Sequence, residues 1–369
     1  MTKLTELCDI QYGFAFDSGA FTDDDSYPQL VRIRDVKRGY SETFYNGDYP
    51  EEYVLSAGDL LVGMDGEFNI AKWKVDGALL NQRVCKVVAK ENTNEEYLRF
   101  ALSKALKEIE DRTSFATVKH LSAKELNKLE IPFPSYDEQN KISEILQRLE
   151  IIIDSRKAEL NTLDELIRAR FVELFEDGEF PLKTVEEVCS DIVDCPHTTP
   201  KYDGELKNPA IRTSEIKKGY ITWDSMRFVS DEEYEERISR LRPEAGDIVY
   251  GREGTFGNAA VLPSGYKFCL GQRVMLLRPD YTKCTSEYLL HAVISDDVYR
   301  QAVGKNNAST VAHVNVKDVK QFKIPLPSFD KQNQFAEFVK QVDKSKVAVQ
   351  KALDETQTLF DSLMQEYFG

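Results

Sequence analysis

Cysteine and histidine are the side chains whose spacing would reveal a metal site, and the sequence contains six cysteines and four histidines. No two cysteines form a C-x-x-C pair and no histidines cluster beside them, so the spacing that zinc ligands require is missing. We therefore expect no metal in this chain. We expect reduced cysteines that mostly pack in cores, as is usual for cytosolic proteins.

The sequence motifs of common catalytic sites are also missing. There is no G-x-x-x-x-G-K-[ST] phosphate loop, no G-x-G-x-x-G dinucleotide loop, no G-x-S-x-G nucleophile and no H-E-x-x-H metal pair. The Asn-Pro-Pro-aromatic tetrapeptide of amino-methyltransferases is absent too, and Asn208-Pro-Ala is the nearest match. An enzyme with an unrecognised site is therefore the least supported function, and we expect no cofactor in this chain.

Composition and charge narrow the class of protein further. Hydrophobic residues make up 41% and charged residues 30% of the chain, which is typical of a globular protein. The apolar runs fall far short of the ~18 residues that span a bilayer, and no signal peptide is recognisable, so we expect a cytoplasmic protein without a membrane partner. The net charge of −15 argues against non-specific coating of nucleic acid, but it does not exclude a local basic face.

Six short sequence matches indicate that the chain contains an internal duplication. Their order is preserved and their spacing never decreases, rising from 180 to 193 residues, as expected for a duplication with small insertions in the second copy. The matches join residues 32–40 with 212–220, 57–59 with 245–247, 80–84 with 270–274, 96–98 with 287–289, 131–135 with 324–328 and 137–140 with 330–333.

Each copy is predicted to contain short strands, one short helix and then a long helix. Apolar runs bounded by turn residues predict strands, and they lie at residues 30–33, 60–62, 83–88, 248–250 and 273–277. Helical spacing follows at 94–104 and 286–295. The Ile-Pro-x-Pro segments at 131 and 324 force extended backbone, and Ser135 and Ser328 are natural N-caps for the long helices. We predict an α+β fold with two β-rich domains at 1–135 and 179–328, each followed by a long helix, at 136–178 and 329–369.

Apolar residues in the long helices follow a 3,4 spacing that is typical of a coiled coil. We predict that the two helices pair as an antiparallel coiled coil, with Arg156, Arg170 and Lys346 as polar breaks that set the register. If each helix packed only on its own domain, most of its apolar stripe would stay uncovered. The predicted seam consists of Leu146, Leu149, Ile153, Leu160, Leu163, Ile167 and Leu174 in the first helix and Val339, Val342, Val349, Leu353, Phe360 and Leu363 in the second.

This combination of features resembles the specificity subunits of type I restriction-modification systems. The resemblance rests on two Ile-Pro-x-Pro-Ser-x-Asp-x-Gln-Asn segments, on the Ala-Gly-Asp and Gln-Arg-Val matches and on the glycine-rich loop 251–257, and it covers essentially the whole chain. Residues 63–69 of the first copy lack the arginine and the last glycine of that loop. The role of the loop is therefore expected to differ between the copies.

The resemblance implies a non-catalytic, sequence-specific DNA-recognition subunit. Each β-rich domain would be a target recognition domain that reads one half of a gapped sequence in double-stranded DNA. The two helices would hold the domains apart and dock two DNA adenine methyltransferase subunits, which carry S-adenosylmethionine. Motor-nuclease subunits join such complexes for restriction.

Base-reading side chains are then expected in the polar loops. Arginine and lysine suit guanine, asparagine and glutamine suit adenine, and serine or threonine suits either. Three loop pairs carry such groups, at 11–21 and 194–204, 65–69 and 252–258, and 113–120 and 305–313. Our candidates for DNA contacts are Ser114, Lys119, His197, Thr198, Lys201, Arg252, Thr255, Lys305, Asn306 and Asn307.

Several of these features also have a structural interpretation. Glycine loops commonly turn a hairpin, and His120 and His313, at equivalent positions, could form a structural hydrogen bond as readily as contact DNA. The equivalent arginines Arg83 and Arg273, and likewise Arg32 and Arg212, are expected to form ion pairs within their domains.

A protein of another class competes with the DNA-binding subunit. Two β-rich domains on a coiled coil could form a protein scaffold that makes no DNA contact, and the acidic balance slightly favours that alternative. The duplicated loop-rich domains favour DNA.

Overall fold

The computed structural model of the protein describes residues 1–112, 120–176, 178–204, 207–254, 257–304 and 313–369. Two units form by their internal contacts: unit 1 comprises residues 1–157 and 351–369, and unit 2 comprises residues 158–350. Each unit therefore joins one globular segment to part of each long helix. The domain boundaries drawn from the sequence at 135, 178 and 328 stay predictions.

Unit 1 is built from short strands and helices, and its first long helix continues into unit 2. Its elements are β1 (Thr2–Lys3), α1 (Leu4–Leu7), β2 (Cys8–Tyr12), β3 (Phe21–Thr22), β4 (Leu30–Val31), α2 (Ile33–Val36), β5 (Phe44–Tyr45), β6 (Val54–Leu55), β7 (Leu60–Gly63), β8 (Ile70–Lys72), β9 (Ala78–Leu80), β10 (Val84–Ala89), α3 (Glu95–Arg112), α4 (Ala123–Leu126), β11 (Glu130–Ile131) and α5 (Tyr136–Phe171).

Unit 2 repeats this order with its own insertions, and its last helix, α11, returns to unit 1. A short π-helical stretch, Val172–Glu176, ends α5. The elements that follow are β12 (Leu182–Thr184), α6 (Val185–Val188), β13 (Cys189–Asp194), β14 (Asn208–Ile211), β15 (Arg227–Val229), α7 (Asp231–Arg237), β16 (Ile248–Gly251), β17 (Ala259–Val261), β18 (Cys269–Leu270), β19 (Val274–Pro279), α8 (Ser286–Val293), α9 (Asp296–Gly304), α10 (Val316–Lys320), β20 (Lys323–Pro325) and α11 (Phe329–Phe368).

The central sheet has the same topology in both units. It is antiparallel, with strand order β2-β10-β7-β8 in unit 1 and β13-β19-β16-β17 in unit 2. One face of each sheet packs on the helix that follows its last strand, α3 or α8, because the inward side chains of the strands are apolar. The predicted α+β fold is confirmed, and so is the repeat, which here appears as repeated topology.

The strand predicted at residues 30–33 ends two residues earlier in the structure, so this boundary was predicted wrongly. The strand stops at Val31, and α2 begins at Ile33 because the buried carboxylate of Asp35 accepts the Arg32 backbone N–H at 3.0 Å. The chain also turns after the strand in the second copy, where the carboxylate of Glu215 accepts the Arg212 backbone N–H at 2.9 Å. A carboxylate three residues along thus turns the chain at a position where the apolar pattern alone favours a strand.

Each Ile-Pro-x-Pro segment is hydrogen-bonded to the helix that packs on the central sheet of its unit, α3 or α8. The hydroxyl of Tyr97, on α3, donates to the carbonyl of Pro132 at 2.9 Å, and that of Tyr288, on α8, donates to the carbonyl of Pro325. Both segments also pair with the first strand of their unit, β1 with β11 and β12 with β20. These contacts explain why the Glu-Tyr-Leu and Ile-Pro matches occur together.

A buried glutamine near the start of each long helix forms three hydrogen bonds to the backbone. The side chain of Gln139 accepts the N–H of Asn94 at 2.9 Å and donates to the carbonyls of Asn92 and Pro134. In unit 2, Gln332 accepts the N–H of Thr285 at 2.9 Å and donates to two carbonyls at 3.0 Å. The glutamine of the repeated Asp-x-Gln motif is thus a structural residue that fixes the helix to the preceding loop.

Within unit 1 the start of α5 lies against the end of α11. Ile142 and Leu146 share a core cluster with Met364 and Phe368, and Phe368 packs against Tyr97 with ring centroids 5.2 Å apart. The two helices therefore run antiparallel, as predicted. The end of α11 also closes the core of the globular segment, which the heptad pattern did not indicate.

Unit 2 contains the complementary half of the helix pair. Phe171 and Phe175, at the end of α5, pack against Phe335 at the start of α11 and against Tyr288 of α8. Lys346 forms an ion pair with Asp164 at 2.6 Å, so one of the predicted polar breaks is paired across the helices. The thirteen seam residues are all buried or half-buried in the structure.

All six cysteines are free, and five of them are buried. Among the described residues no three histidine, cysteine or acidic side chains are grouped so that they could hold a metal ion. None of the described helices combines the length and the apolarity that a bilayer crossing requires.

His291 introduces a pH dependence into the core of unit 2. Its ring lies against Phe335 at 5.1 Å, and burial, together with the positive charges of Lys346 and Arg168, lowers its pKa to about 4 despite the opposing charge of Asp164. The unfolded chain, with an ordinary histidine pKa near 6.5, binds a proton at a pH where the folded chain does not. Stability from neutral His291 is therefore complete above about pH 6.5 and is lost as the pH falls toward 4.

We expect His291→Phe to reduce this loss of stability between pH 6.5 and pH 4.5, because phenylalanine cannot bind a proton. Phe100 occupies the equivalent position of unit 1, so the repeated fold accepts this ring. Urea unfolding at several pH values would measure the effect. His197→Ala, which removes a largely exposed histidine instead, is the matched control. An unaltered pH profile in His291→Phe would contradict the assignment.

Candidate nucleic-acid interface

Two loops of unit 1 and the described end of a third meet around the chain segment Leu80–Val84. The loop after β2 reaches it through Phe14, whose N–H donates to the Leu80 carbonyl at 3.0 Å. The loop after β7 reaches it through Met64, whose N–H donates to the Arg83 carbonyl at 2.8 Å. Leu121, which follows residues 113–120, donates its N–H to the Met64 carbonyl at 2.7 Å. The first two loops predicted from polar composition and the described end of the third, His120–Leu121, are therefore parts of one surface.

The same convergence occurs in unit 2 at Leu270–Val274. Gln272 donates its side-chain amide to the hydroxyl of Thr199 at 2.9 Å, which ties down the loop after β13. The N–H of Arg252 donates to the Arg273 carbonyl at 3.0 Å, and the N–H of Val314 donates to the Arg252 carbonyl at 2.9 Å. We call these two surfaces the reading face of unit 1 and the reading face of unit 2.

An acid–arginine–histidine cluster lies on the reading face of unit 1. The guanidinium of Arg83 lies 3.4 Å from the carboxylate of Asp65 and 3.3 Å from Nδ1 of His120, and His120 also contacts Asp65. Asp65 comes from the loop after β7, and His120 from the segment before α4. The cluster therefore connects side chains from the three parts of the chain that meet there.

The reading face of unit 2 has an equivalent cluster. Nε of Arg273 lies 3.0 Å from Glu253, and Nδ1 of His313 lies 3.4 Å from the same carboxylate. The backbones of Glu253 and His313 pair in an isolated bridge, as do those of Asp65 and His120. The intradomain ion pairs predicted for Arg83 and Arg273 are confirmed.

Both cluster arginines have a left-handed backbone, with φ of 76° at Arg83 and 64° at Arg273. This conformation costs a residue with a Cβ roughly 1–2 kcal/mol, and such residues are concentrated at binding and catalytic sites. It turns the chain sharply before β10 and β19 and leaves both arginine side chains more than half exposed. Each reading face thus presents a half-exposed arginine that the fold and an acidic partner hold in place.

The predicted DNA-contact residues have different environments. His197, Thr198 and Lys201 are exposed on the reading face of unit 2, and Thr198 accepts a hydrogen bond from the buried Arg237 at 3.4 Å. Arg252 is only 5% exposed and is paired with Asp194 at 2.8 Å. A base contact by Arg252 would require this pair to open. Ser114, Lys119, Thr255, Lys305, Asn306 and Asn307 lie outside the described residues, and all ten roles stay predictions.

Arg212 and Arg32, at equivalent positions of the repeat, differ in their partners. Arg212 forms the predicted ion pair with Glu215 and also donates to the carbonyl of Ser225 at 2.8 Å. For Arg32 the prediction is wrong, because no carboxylate of the described residues lies within ion-pair distance of its guanidinium. Sequence reasoning therefore missed Arg32, together with its neighbours Asn81 and Gln82, as groups free to bind a ligand.

Comparison with known proteins places this architecture in a family. The family model described as the type I restriction modification DNA specificity domain matches residues 1–165 and 200–356, which is most of the chain. The chain belongs to this specificity-domain family. The predicted resemblance to type I specificity subunits is thereby confirmed.

Curated relatives from this specificity-domain family cover most of the chain. The specificity subunit of the type I restriction enzyme EcoBI from Escherichia coli is 29% identical, and the alignment spans 99% of this chain and 84% of the relative. The MjaVIII specificity subunit from Methanocaldococcus jannaschii is 20% identical over 79% of this chain and 74% of its own length.

Solved structures of type I systems share the fold. The S subunit from M. genitalium aligns with a TM-score of 0.55 at 16% identity, covering 100% of this chain and 95% of that one. A chain solved in a study of complex assembly and conformational transition in the type I restriction-modification system aligns with a TM-score of 0.56 at 17% identity, covering 99% of this chain and 96% of that one. At these identities the likeness shows the fold alone.

Proposed function

We propose that this chain is the DNA-recognition subunit of a type I restriction-modification complex, in which each reading face reads one half of a gapped double-stranded sequence. The observation that carries the proposal is that in both units the described parts of separate polar loops converge on an exposed arginine with a left-handed backbone. Duplicate reading faces with different side chains suit two half-sites with different sequences. Base edges in the major groove are recognised by such side chains, while phosphate contacts only position the domain.

The overall acidity of the chain is compatible with DNA binding because cationic side chains lie on both reading faces. In unit 1, Arg32 and Arg34 lie beside Arg83 around one pocket, and the Asp35 carboxylate near them is buried against backbone and Ser41. In unit 2, the exposed His197 and Lys201 lie in the loop that Thr199 anchors to Gln272. Local charge determines where DNA approaches, whereas the net charge of −15 mainly affects the strength of non-specific binding.

The long helices are proposed to dock two DNA adenine methyltransferase subunits, which would supply S-adenosylmethionine and the catalysis. In support, Ile145 and Ile152, one heptad apart on α5, are both exposed, and Ile151 beside them is 68% exposed. Apolar side chains that cover no core of their own chain are available for a protein partner. The chain itself acts by binding, and motor-nuclease subunits would join for restriction. Such a complex works in the cytoplasm, where the DNA is.

Binding-site selection tests this function with the specificity chain assembled on its methyltransferase subunits. We expect the complex to enrich one gapped sequence with two defined half-sites from random double-stranded DNA, because the two reading faces differ. The chain without its partner should bind DNA more weakly. A complex that assembles but enriches no gapped sequence would contradict DNA recognition and would support the protein-scaffold alternative.

A further inference from the structure

A concave pocket of about 420 Å³ opens on the reading face of unit 1. Its lining includes two aromatic rings, Phe16 and Phe21, and four side chains that can recognise bases: Arg32, Arg34, Asn81 and Gln82. The two amides lie in the segment Leu80–Val84, around which the reading face of unit 1 is built, and the arginines lie at the start of α2. Volume and lining are those of a binding pocket with apolar walls and a few polar groups.

Three of the polar side chains that line this pocket are not used by the protein itself. Among the residues that the structure describes, the side chains of Arg32, Asn81 and Gln82 have no hydrogen-bond or ion-pair partner. Asn81 is only 8% exposed, and its Oδ1 is buried without a partner. Buried polar groups in native proteins are nearly always hydrogen-bonded, and an exception calls for a ligand or another cause.

The equivalent groups of unit 2 are occupied or missing. Arg212 is held by Glu215 and the Ser225 carbonyl, and Gln272 donates to Thr199. The equivalent of Asn81 is Gly271, where an added Cβ would lie 2.5 Å from the Ile211 carbonyl oxygen, so unit 2 has no room for an amide there. The fold that the two units share therefore does not explain why these side chains have no partner in unit 1.

We propose that this pocket is the base-reading site of unit 1, with Asn81 and Gln82 recognising adenine and Arg32 recognising guanine in its half-site. An asparagine or glutamine amide matches the N6 donor and N7 acceptor of adenine, and an arginine matches the O6 and N7 acceptors of guanine. The inference rests on the proposed DNA-recognition function and names the residues and the base chemistry of one half-site. Arg34 and Arg83, at the rim, face the approaching phosphates.

The charges around the pocket favour an anionic ligand of this kind. The nearest contact of Arg34 with a carboxylate is a long one, 3.8 Å from the almost fully buried Asp35, so its charge is only partly compensated. Asp35 itself accepts hydrogen bonds from the Arg32 backbone and from Ser41. Arg83 is paired with Asp65 at 3.4 Å, so Arg32 and Arg34 supply the positive charge beside the neutral amides, as a site that must both attract DNA and distinguish its bases requires.

The test is binding-site selection on the assembled methyltransferase complex with Asn81→Ala, Gln82→Ala and Arg32→Ala, compared with the wild-type complex. We expect each variant to lose discrimination by about five- to a hundred-fold at one or two positions of one half-site, the same half-site for all three. Loss at an A·T position is expected for the amides and at a G·C position for Arg32. The other half-site and the gap should stay as in the wild type.

Matched controls separate base reading from folding. Gln272→Ala removes the amide of unit 2 that is equivalent to Gln82. It should not alter the half-site whose selection changes in Asn81→Ala. Gln82 and Arg32 are exposed, so their variants should keep the wild-type melting temperature. If Asn81→Ala unfolds, these two variants still test the inference. Variants that select every position as the wild type does would overturn this inference alone. A wild-type complex that selects no gapped sequence would overturn the proposed function, and this inference with it.

Discussion

Replacing Gln332 by leucine is expected to lower the free energy of unfolding by about 3–5 kcal/mol. The side chain is fully buried, and its loss leaves the N–H of Thr285 and the carbonyls of Lys283 and Pro327 without this partner. Each buried backbone group that loses its partner costs roughly 1–3 kcal/mol, whereas leucine keeps most of the packing volume. Gln139→Leu removes the same three contacts from unit 1 and should have an effect of similar size.

Urea unfolding followed by circular dichroism measures this effect. Gln334→Leu is the matched control, because Gln334 is exposed on α11 two residues from Gln332 and should change stability by no more than about 0.5 kcal/mol. If the two units unfold in separate transitions, Gln332→Leu should move that of unit 2 and Gln139→Leu that of unit 1. A loss below about 1 kcal/mol in both variants would show that the buried glutamines do not hold the helix starts in place.

The repeat could be recognised from the sequence because its matched residues form the same contacts twice. Asp59 pairs with Lys86 on the neighbouring strand at 2.8 Å, and Asp247 pairs with Arg278 in the same way at 2.8 Å. The matched glutamines and tyrosines form equivalent hydrogen bonds in both units. Contacts that hold the architecture together restrict residue type at both positions, so they survive duplication as sequence matches.

Side-chain partnerships at the reading faces could not be predicted, because they depend on residues far apart in the chain. Arg252 looked available in a glycine loop, yet Asp194 from another loop pairs with it. Arg32 looked like an architectural ion pair because Arg212 matches it, yet only Arg212 has its carboxylate in reach. The difference between the copies at 81 and 271 was visible in the sequence, but only the fold shows that Asn81 lines a pocket.

The helix ends show a second limit of sequence patterns. The 3,4 spacing predicted the antiparallel pair, since it depends only on the period of the helix. Phe171, Phe175 and Phe368 lie next to the predicted seam or beyond its last residue, and the 3,4 spacing assigned them no partner. In the structure they close the cores of the globular segments, against Tyr288 in unit 2 and Tyr97 in unit 1. A periodic pattern gives the face of a helix but does not identify what covers it.

Removing one heptad from each long helix is expected to shorten the gap between the two DNA half-sites by about three base pairs. Seven helical residues span about 10.5 Å at 1.5 Å per residue, and DNA rises about 3.4 Å per base pair. Residues 155–161 and 349–355 are suitable deletions, because they spare the Asp164–Lys346 pair and the Arg99–Glu150 pair. A whole heptad also preserves the phase of the apolar seam, so the helices can still pair.

Binding-site selection on the assembled complex would measure the new gap. We expect both half-sites to keep their sequences, because the deletions leave the reading faces untouched. Deleting residues 155–161 alone is the matched control, since it shortens one helix against an unaltered partner, and it should destabilise the pair instead of defining a new gap. A rigid pair of helices must transmit its shortening to the half-sites that it separates. A double deletion that folds, assembles and still selects the wild-type gap would therefore show that the helices do not set the spacing.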